Sequence, residues 1–503
     1  MKTSINKIGL ALGVLGILVS CSSELELEPK SVITSSSFWN SEDDVNGVLN
    51  GMYYYFRVAN KMTYQLGEGR SEIYRIGIGG SGAYDLFYNN TLNPSNLASA
   101  GNYSSGVDWK DYYTLINSAN LLIKYVPDID YPSEDNKKNA LAQAYTMRAF
   151  TYFVMAKTWG AVPLRTEPTE GYTEGINVPR TPLAEVFNQI KSDLDQALVL
   201  FPDNSIPDGR NMWSKAGANA LKADVYLWTG KMLNGGQADF TTALSACTAV
   251  EEADVELLPE FSDLFQYENK GSREVIMSIY FKLLENTGKF SYFRDLYMFA
   301  GLMPSGASQQ ARDFIGSNTG GGFPVWQITD LVKDQFTEDD KRRKASFYEL
   351  YDHKENGDSV HFVTISQKGT GAVNSGGVRE YVSDIIIYRL ADVLLMKAEA
   401  KNALGQDPSE EINKVRMRAY GDNFAGHEYV NGTQAQNDEV ILKERLLELV
   451  YEGKRWWDLI RFEKAFDIVP SLQDRKGQDY LLLFPISLNT LSLEPLVEQN
   501  PGY

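Results

Sequence analysis

The sequence predicts a mainly α-helical protein, a scaffold of paired helices carrying long loops and a few short β-hairpins on one face. Three observations carry that expectation. Several long segments repeat apolar residues at three-to-four spacing, and glycine and proline punctuate their ends. The stretches 62–108 and 255–380 are different in kind, rich in Gly, Asn, Ser and aromatics. With 503 residues, 43% of them hydrophobic, the chain can bury a large core.

Taken in order, the chain opens on a targeting pattern. Lys2 and Lys7 accompany an almost wholly apolar run, Ile8–Val19, which leads through Ser20 into Cys21. The run is too short to cross a bilayer comfortably, and its basic–apolar–small order is that of an export signal. The ending Leu18-Val19-Ser20-Cys21 resembles a bacterial lipobox. That resemblance implies a signal peptide over 1–20 and a lipidated (palmitate-type) Cys21. Residues 21–30 then form an acidic tether that anchors the protein to a membrane without spanning it. Residues 31–503 are expected to form a single α-helical domain with loop-rich ligand-binding insertions at about 62–108 and 255–380.

Loss of residues 1–20 removes two positive charges, Lys2 and Lys7, and takes the formal charge from −18 to −20. Such an anionic surface argues against nucleic acid as a partner. Cys21 and Cys247 are the only cysteines, so lipidation of Cys21 leaves no internal disulfide. Cys247, in the apolar helical pattern Phe240–Val250, reads as a buried structural thiol.

The first strong helix runs over 139–159, where Leu141, Tyr145, Ala149, Phe153 and Ala156 form one apolar stripe and Gly160 and Pro163 end it. Further helices are expected at about 182–201, 214–233, 240–252, 383–404, 408–420 and 438–466. Gly405 suits a left-handed helix end, with Asp407 as the next N-cap, Pro408 at the first helical position and Glu410 at the third. These helix–turn–helix units resemble tetratricopeptide hairpins, although no clean repeat period is present. Asn356-Gly357, between Phe347–Tyr351 and Val360–Ile365, signals a β-hairpin.

Motifs for chemistry mostly fail on context. Gly77-Ile-Gly-Gly-Ser-Gly82 matches a dinucleotide fingerprint, but no βαβ pattern surrounds it and Ala83–Asn90 is a poor helix start, so a loop is the better reading. Asp352–Asp358 has a calcium-loop look, but Lys354 and Val363 stand where oxygen ligands belong. His353, His361 and His427 show no zinc spacing. Neither a metal, a cofactor nor a catalytic set is predicted, and the plentiful carboxylates single out no glycosidase pair.

Four segments together resemble the SusD/RagB family of outer-membrane nutrient-binding lipoproteins. They are Met147-Arg-Ala-Phe-Thr-Tyr-Phe through Trp159-Gly-Ala-Val-Pro-Leu164; Tyr388–Ala400 followed by Ile412–Ala419; Glu444-Arg-Leu-Leu-Glu-Leu-Val-Tyr-Glu-Gly-Lys-Arg-Trp-Trp-Asp458 through Arg461; and Asn500-Pro-Gly-Tyr503. Within them, Trp159, Trp456 and Trp457 read as packing residues. Arg389, Glu399, Glu444, Glu448 and Glu452 read as satisfying helix ends and neighbouring helices. The resemblance implies a non-catalytic cell-surface protein that binds an oligosaccharide or polysaccharide and delivers it to a SusC-like TonB-dependent transporter. A surface glycoside hydrolase and a carrier of peptide or glycoprotein-derived cargo are the alternatives.

A sugar-binding site is expected in the loops, since sugar C–H faces stack on aromatic planes while hydroxyls need amide, carboxylate or guanidinium partners. Two loops offer that mixture. Arg70, Tyr84, Tyr88 and Asn89 are the candidates in the first, Phe323 and Trp326 in the second.

Overall fold

The computed structural model describes residues 38–60, 63–80, 82–99, 107–171, 176–285, 292–316, 322 and 324–503. Cys21 and the segments expected as export signal and tether lie outside the described residues. Ten helices carry the scaffold: α1 Glu42–Asn60, α2 Lys110–Tyr125, α3 Glu134–Trp159, α4 Leu183–Leu200, α5 Lys215–Met232, α6 Gly236–Glu251, α7 Leu390–Ala403, α8 Ser409–Tyr420, α9 Gln434–Leu449 and α10 Arg455–Arg461. Helices close in sequence pack as pairs, α3 on α4 and α5 on α6, and each pair leans on the next through α4–α5 and α6–α7. This is the tetratricopeptide-like arrangement the sequence predicts.

The strands are short: β1 Tyr74–Ile76, β2 Val275–Ile279, β3 Trp326–Ile328, β4 Phe347–His353, β5 Ser359–Ser366, β6 Ala372–Val373, β7 Arg379–Glu380 and β8 Ile385–Arg389. They form four antiparallel two-stranded pairs, β1–β3, β2–β8, β4–β5 and β6–β7. The Asn356-Gly357 hairpin is present as β4–β5, with Gly357 at φ 90°, where a Cβ would be strained. The β1–β3 and β2–β8 pairs, by contrast, tie segments far apart in sequence. A small apolar cluster of Tyr297, Met298, Leu350, Val363, Ile365 and Tyr381 lies within the second loop-rich stretch.

Local rules explain most boundaries. Ser133 caps α3 by accepting the Asn136 N–H, and Gly160 ends it at φ 77°. Gly405 takes the predicted left-handed conformation at φ 73°. α8 begins one residue later than expected, at Ser409, whose N–H the Asp407 carboxylate still caps at 2.8 Å.

Four sequence expectations are corrected. α3 is buried on every side from Thr146 to Trp159, because it is the middle helix with neighbours all round, and its single apolar stripe was too narrow a reading. The stretch expected as a helix from 383 begins as strand β8, where β-branched isoleucines pair with β2. The helix expected over 438–466 breaks at Val450–Lys454, where Tyr451 and Gly453 adopt φ 70° and 72°. Gly82–Tyr88 is also helical, although the sequence reads as a poor helix start.

The broken segment serves an ionic core. Glu448 accepts from Arg342 (3.2 Å), Arg389 (2.6 Å) and Arg418; Glu444 pairs with Arg342 (2.6 Å) and Arg416 (2.8 Å); Glu452 pairs with Arg389 (2.8 Å) and Lys368 (2.8 Å). Glu274 joins Arg389 (3.0 Å) and Arg418 (2.5 Å). The glutamates therefore do more than trim helix ends. They are fully or nearly fully buried and knit β2, β8, α8 and α9 together. Burial opposes the charge on Glu448, but the surrounding guanidinium groups hold its carboxyl far below the usual carboxylate range. Trp159, Trp456 and Trp457 are buried, as expected of packing residues, and so is Cys247, whose thiol burial pushes well up.

Glu68 behaves in the opposite sense. Its carboxylate accepts the N–H groups of Glu452 (3.0 Å) and Gly453 (2.9 Å) and the Tyr74 hydroxyl (2.7 Å), yet full burial outweighs these donors and pushes it up to about 7.

Two outcomes follow from these opposed carboxylates. Glu448→Ala strands three guanidinium groups in the core and is expected to cost about 3–5 kcal/mol in urea unfolding. A raised acid favours the folded state below its unfolded value, and that stability is lost as pH rises toward the folded value. Wild type should therefore lose stability relative to Glu68→Gln between pH 5 and 8, by at most about 3 kcal/mol, and parallel curves over that range would contradict the assignment.

Candidate functional site

α1 displays two faces. Val45, Leu49, Met52, Phe56 and Ala59 point into the core, while Asn50, Tyr54 and Arg57 recur at four- and three-residue steps on another side. The helix starts cleanly: Ser41 Oγ accepts the Asp44 N–H (3.3 Å) and the Asp44 carboxylate accepts the Asn40 N–H (3.2 Å), with acidic residues filling the first turn. Tyr53 then fixes its roll, donating to Gln143 Oε1 (2.7 Å) on α3 and accepting the Trp213 N–H (2.8 Å).

Opposite this face runs the segment Tyr280–Glu285, which leaves β2. It is pinned by three backbone N–H groups: Phe281 to Asp384 (3.0 Å), Leu283 to the Tyr267 hydroxyl (3.2 Å) and Leu284 to Glu380 (2.9 Å). Leu284 sits at φ 64°, a strained conformation for a leucine, which these bonds hold in place. Arg57 closes the gap by forking onto Glu285 at 2.8 and 2.9 Å and reaching Tyr280 O at 3.3 Å. The Arg57 hydrogen bond holds the Glu285 carboxyl below its ordinary value.

The result is a groove of about 420 Å³. Tyr54 and Tyr280 are 43% and 41% exposed, so both rings show area to a ligand. The Lys270 ammonium lies 4.3 Å from the Tyr280 ring centroid and bonds Asp384 at 2.7 Å, which steadies that wall; burial pushes the Asp384 carboxyl up to about 6. The side-chain amides of Asn50 and Asn211, also in the lining, have no hydrogen-bond partner among the described residues. Two exposed rings beside two uncommitted amides form a surface suited to a polyhydroxylated ligand.

A larger cleft, of about 940 Å³, lies along α2. Its inner groups are already spent on structure. Asn117 accepts the Thr169 N–H (2.6 Å), Asn120 donates to Arg165 O and Glu167 O (3.1 Å each), and Arg165 forks onto Glu494. Trp109 is 2% exposed and offers no ring face. The smaller groove is the better candidate.

The two loops expected to bind do meet, through the β1–β3 register Arg75↔Gln327 and Ile76↔Trp326. Gly77 and Gly80 make the join possible, since a Cβ on Gly77 would fall 1.9 Å from Pro324 O and one on Gly80 2.5 Å from Ile76. That is the structural meaning of the glycine run. Two candidates are corrected, however. Arg70 is fully buried, donating to Asn90 (2.7 Å), Leu483 O (2.7 Å) and Leu481 O, with its guanidinium 4.7 Å from the Trp456 ring. Trp326 is 1% exposed against Tyr74 and Phe87. Both are loop anchors because a long loop must bury its own large side chains to stay folded.

Tyr88 is half-buried and Asn89 exposed; the Tyr84 side chain and Phe323 lie outside the described residues. The groove residues escaped the sequence reading, although Asn50, Tyr54 and Arg57 opposite an apolar stripe were the available signal. The three histidines are apart, on Ser359, Thr364 and Asp339 respectively, and the described residues contain no metal-binding group of His, Cys, Asp or Glu.

Comparison with known proteins fits this architecture. Residues 317–503 match the model of the SusD family, and residues 25–227 match a family described as starch-binding and associating with the outer membrane. A SusD superfamily protein from Bacteroides vulgatus is 31% identical and superposes with a TM-score of 0.81 over 92% of this chain and 100% of its own. NanU of B. fragilis, also 31% identical, gives 0.78 over 94% and 99%. SusD-like protein P38 of Formosa agariphila is 28% identical, covering 98% of each chain. The chain belongs to the SusD family. No helix among the described residues is long and apolar enough to cross a membrane.

The groove side chains face solvent, so Tyr54→Ala and Tyr280→Ala should each change stability by less than about 1 kcal/mol in urea unfolding. A larger loss would make these rings structural.

Proposed function

We propose that this protein is a non-catalytic surface glycan-binding lipoprotein, anchored to the outer membrane through Cys21, that holds an oligosaccharide in the Tyr54–Tyr280 groove and passes it to a SusC-like TonB-dependent transporter. The observation that supports the binding reading is the pairing of two exposed tyrosine rings with the amides of Asn50 and Asn211, which have no hydrogen-bond partner among the described residues. The rings take the C–H faces of sugar units, and each amide offers a donor and an acceptor to hydroxyls. Family membership, with its starch-binding and outer-membrane description, supports the same assignment. The lipobox-like Leu18–Cys21 supports the anchor.

Glu285 is the one carboxylate among the described groove-lining residues, and Arg57 keeps it ionised. Hydrolysis of a glycosidic bond needs two carboxyl groups, one of them protonated, so the groove favours binding over cleavage. Two stacking contacts give modest affinity, which suits a carrier: proximity to a transporter raises the effective concentration, and loose binding permits release. On the loop that follows β1, Tyr88 and Asn89 offer a similar ring and amide and stand as secondary contacts, with Tyr84 four residues before Tyr88 and Phe323 three residues before Trp326 in sequence.

The test is native affinity electrophoresis of residues 22–503 in gels cast with a panel of polysaccharides, with reducing ends assayed in parallel. Retardation by a glycan without new reducing ends is the expected result. Tyr54→Ala combined with Tyr280→Ala should weaken it at least about tenfold. New reducing ends would replace the carrier by a hydrolase. Retardation by no glycan would move the cargo to peptide.

A further inference from the structure

The peptide groups of Phe281 are held from both sides. Its N–H donates to the Asp384 carboxylate (3.0 Å), and its carbonyl accepts from the Lys270 ammonium. Lys270 and Asp384 are themselves an ion pair at 2.7 Å, so one pair of opposite charges brackets a single residue of the chain. That residue belongs to Tyr280–Glu285, the segment that forms one wall of the tyrosine groove. Lys270 also reaches Val382 O at 3.4 Å and lies 4.3 Å from the centroid of the Tyr280 ring, which ties the bracket to the exposed ring itself.

The bracket is not fully satisfied. The Asp384 side chain is 7% exposed, and both of its bonds converge on one oxygen, Oδ1. Oδ2 is buried without a hydrogen-bond partner among the described residues. A carboxylate whose second oxygen has neither a donor nor water is costly to keep ionised. Beside it lies a cavity of about 30 Å³, lined in part by Asp384, Lys270, Ser278 and Glu452, and Lys270 is the one cation among its described lining residues. Three residues along the segment, Leu284 sits in the left-handed region at φ 64°, so the closed wall also carries backbone strain.

The charges that face this corner are placed so that Asp384 is the group that responds to pH. Burial opposes the charge on Glu452, but Arg389 and Lys368 hold its carboxyl below the usual range. The Arg57 hydrogen bond holds Glu285 low at the far end of the segment. Glu380 accepts the Leu284 N–H and the Asn374 amide. Burial pushes the Tyr280 and Tyr292 hydroxyls up, and Tyr267 spends its hydroxyl on the Leu283 N–H. The three histidines lie elsewhere, on β4, on β5 and against Asp339.

We propose that Lys270 and Asp384 form a proton-operated latch on the groove wall, in which a proton on Asp384 keeps the Tyr280–Glu285 segment closed and loss of that proton lets it open. With the proton in place Oδ1 still accepts the Phe281 N–H, and Lys270 keeps the Phe281 and Val382 carbonyls and the Tyr267 and Tyr280 rings. Loss of the proton leaves a buried carboxylate with one unsatisfied oxygen, a cost relieved when the segment lifts and water reaches it. Burial pushes the Asp384 carboxyl up to about 6, and exposure returns it toward its ordinary value, so opening releases a proton to solvent. The closed wall is therefore favoured below that pH, and opening becomes easier as pH rises through it. The latch is a property of the wall alone; its use, holding a glycan in acid and releasing it near neutrality, rests on the binding reading.

The experiment is hydrogen–deuterium exchange of residues 22–503 without ligand, between pH 5 and 7.5, corrected for the intrinsic pH dependence of exchange and read by mass spectrometry on fragments that contain the Phe281, Leu283 and Leu284 amides. Their protection should fall about tenfold from the lower pH to the higher. Asp384→Asn keeps an acceptor for Phe281 without the charge and should flatten the profile. Lys270→Gln removes the compensating cation and should move the fall to higher pH. Glu68→Gln removes the other carboxyl raised into this range and should leave the fall in place. Thermal melting shows whether each variant is folded, and Lys270→Gln carries the test if Asp384→Asn is not. A flat wild-type profile, a fall that survives Asp384→Asn, an unshifted fall in Lys270→Gln, or a fall abolished by Glu68→Gln would each overturn the proposal. Because no ligand is present, the latch and the glycan-binding reading stand or fall separately.

Discussion

The buried charge cluster around Glu448 is the constraint on which the rest of the scaffold depends. Three guanidinium groups, from Arg342, Arg389 and Arg418, converge on one carboxylate with no solvent to screen them. Such a cluster is worth little compared with a well-packed apolar core, but each partner becomes indispensable once the others are present. Its contribution is directional. Apolar surfaces can slide, whereas a fork onto a carboxylate fixes distance and angle at once. Arg389 ends β8 and Arg418 lies in the last turn of α8, so satisfying Glu448 sets where strand and helix stop relative to α9.

The same demand explains the break after α9. Glu444 and Glu448 lie one helical turn apart and face the cluster together. A continued helix would also bring Glu452 to that face, but Lys368 and two donors of Arg389 wait for it in another direction. Unwinding at Val450–Lys454 turns Glu452 toward them and frees the N–H groups of Glu452 and Gly453, which Glu68 then accepts. One local departure from helical geometry thus connects the ionic core to the start of the first loop-rich stretch. A periodicity argument sees 438–466 as one helix, since the sequence carries no proline there and the cause lies in residues 60 or more positions away.

What was legible in the sequence is what local chemistry decides. The helices around Trp159, the αL glycines at 160 and 405, the Asn356-Gly357 hairpin and the buried Cys247 all follow from neighbours in the chain. The β1–β3 and β2–β8 pairs do not, because their partners are more than 100 residues apart and their strands too short to show an alternating pattern. Two of the candidate contacts prove to be buried for a related reason. Trp326 and Arg70 have the side chains a sugar site needs, but composition cannot tell a ring that faces a ligand from one that pins a loop. That distinction depends on which face of β3 is covered, and only the pairing with β1 decides it.

That pairing also separates two kinds of polar surface. In the tyrosine groove, Arg57 and Glu285 neutralise each other, so selectivity there falls to ring area and to the amides of Asn50 and Asn211. On the β1–β3 ribbon the inner face is spent on Tyr74 and Trp326, and the outer face carries Arg75, whose Nε has no acceptor among the described residues. The two-stranded ribbon is anchored by buried aromatics, and on the elements beside it Asp330 and Glu349 are held by Lys333 and Arg343. A rigid support of this kind holds side chains in place before any ligand arrives, which lowers the ordering cost of binding.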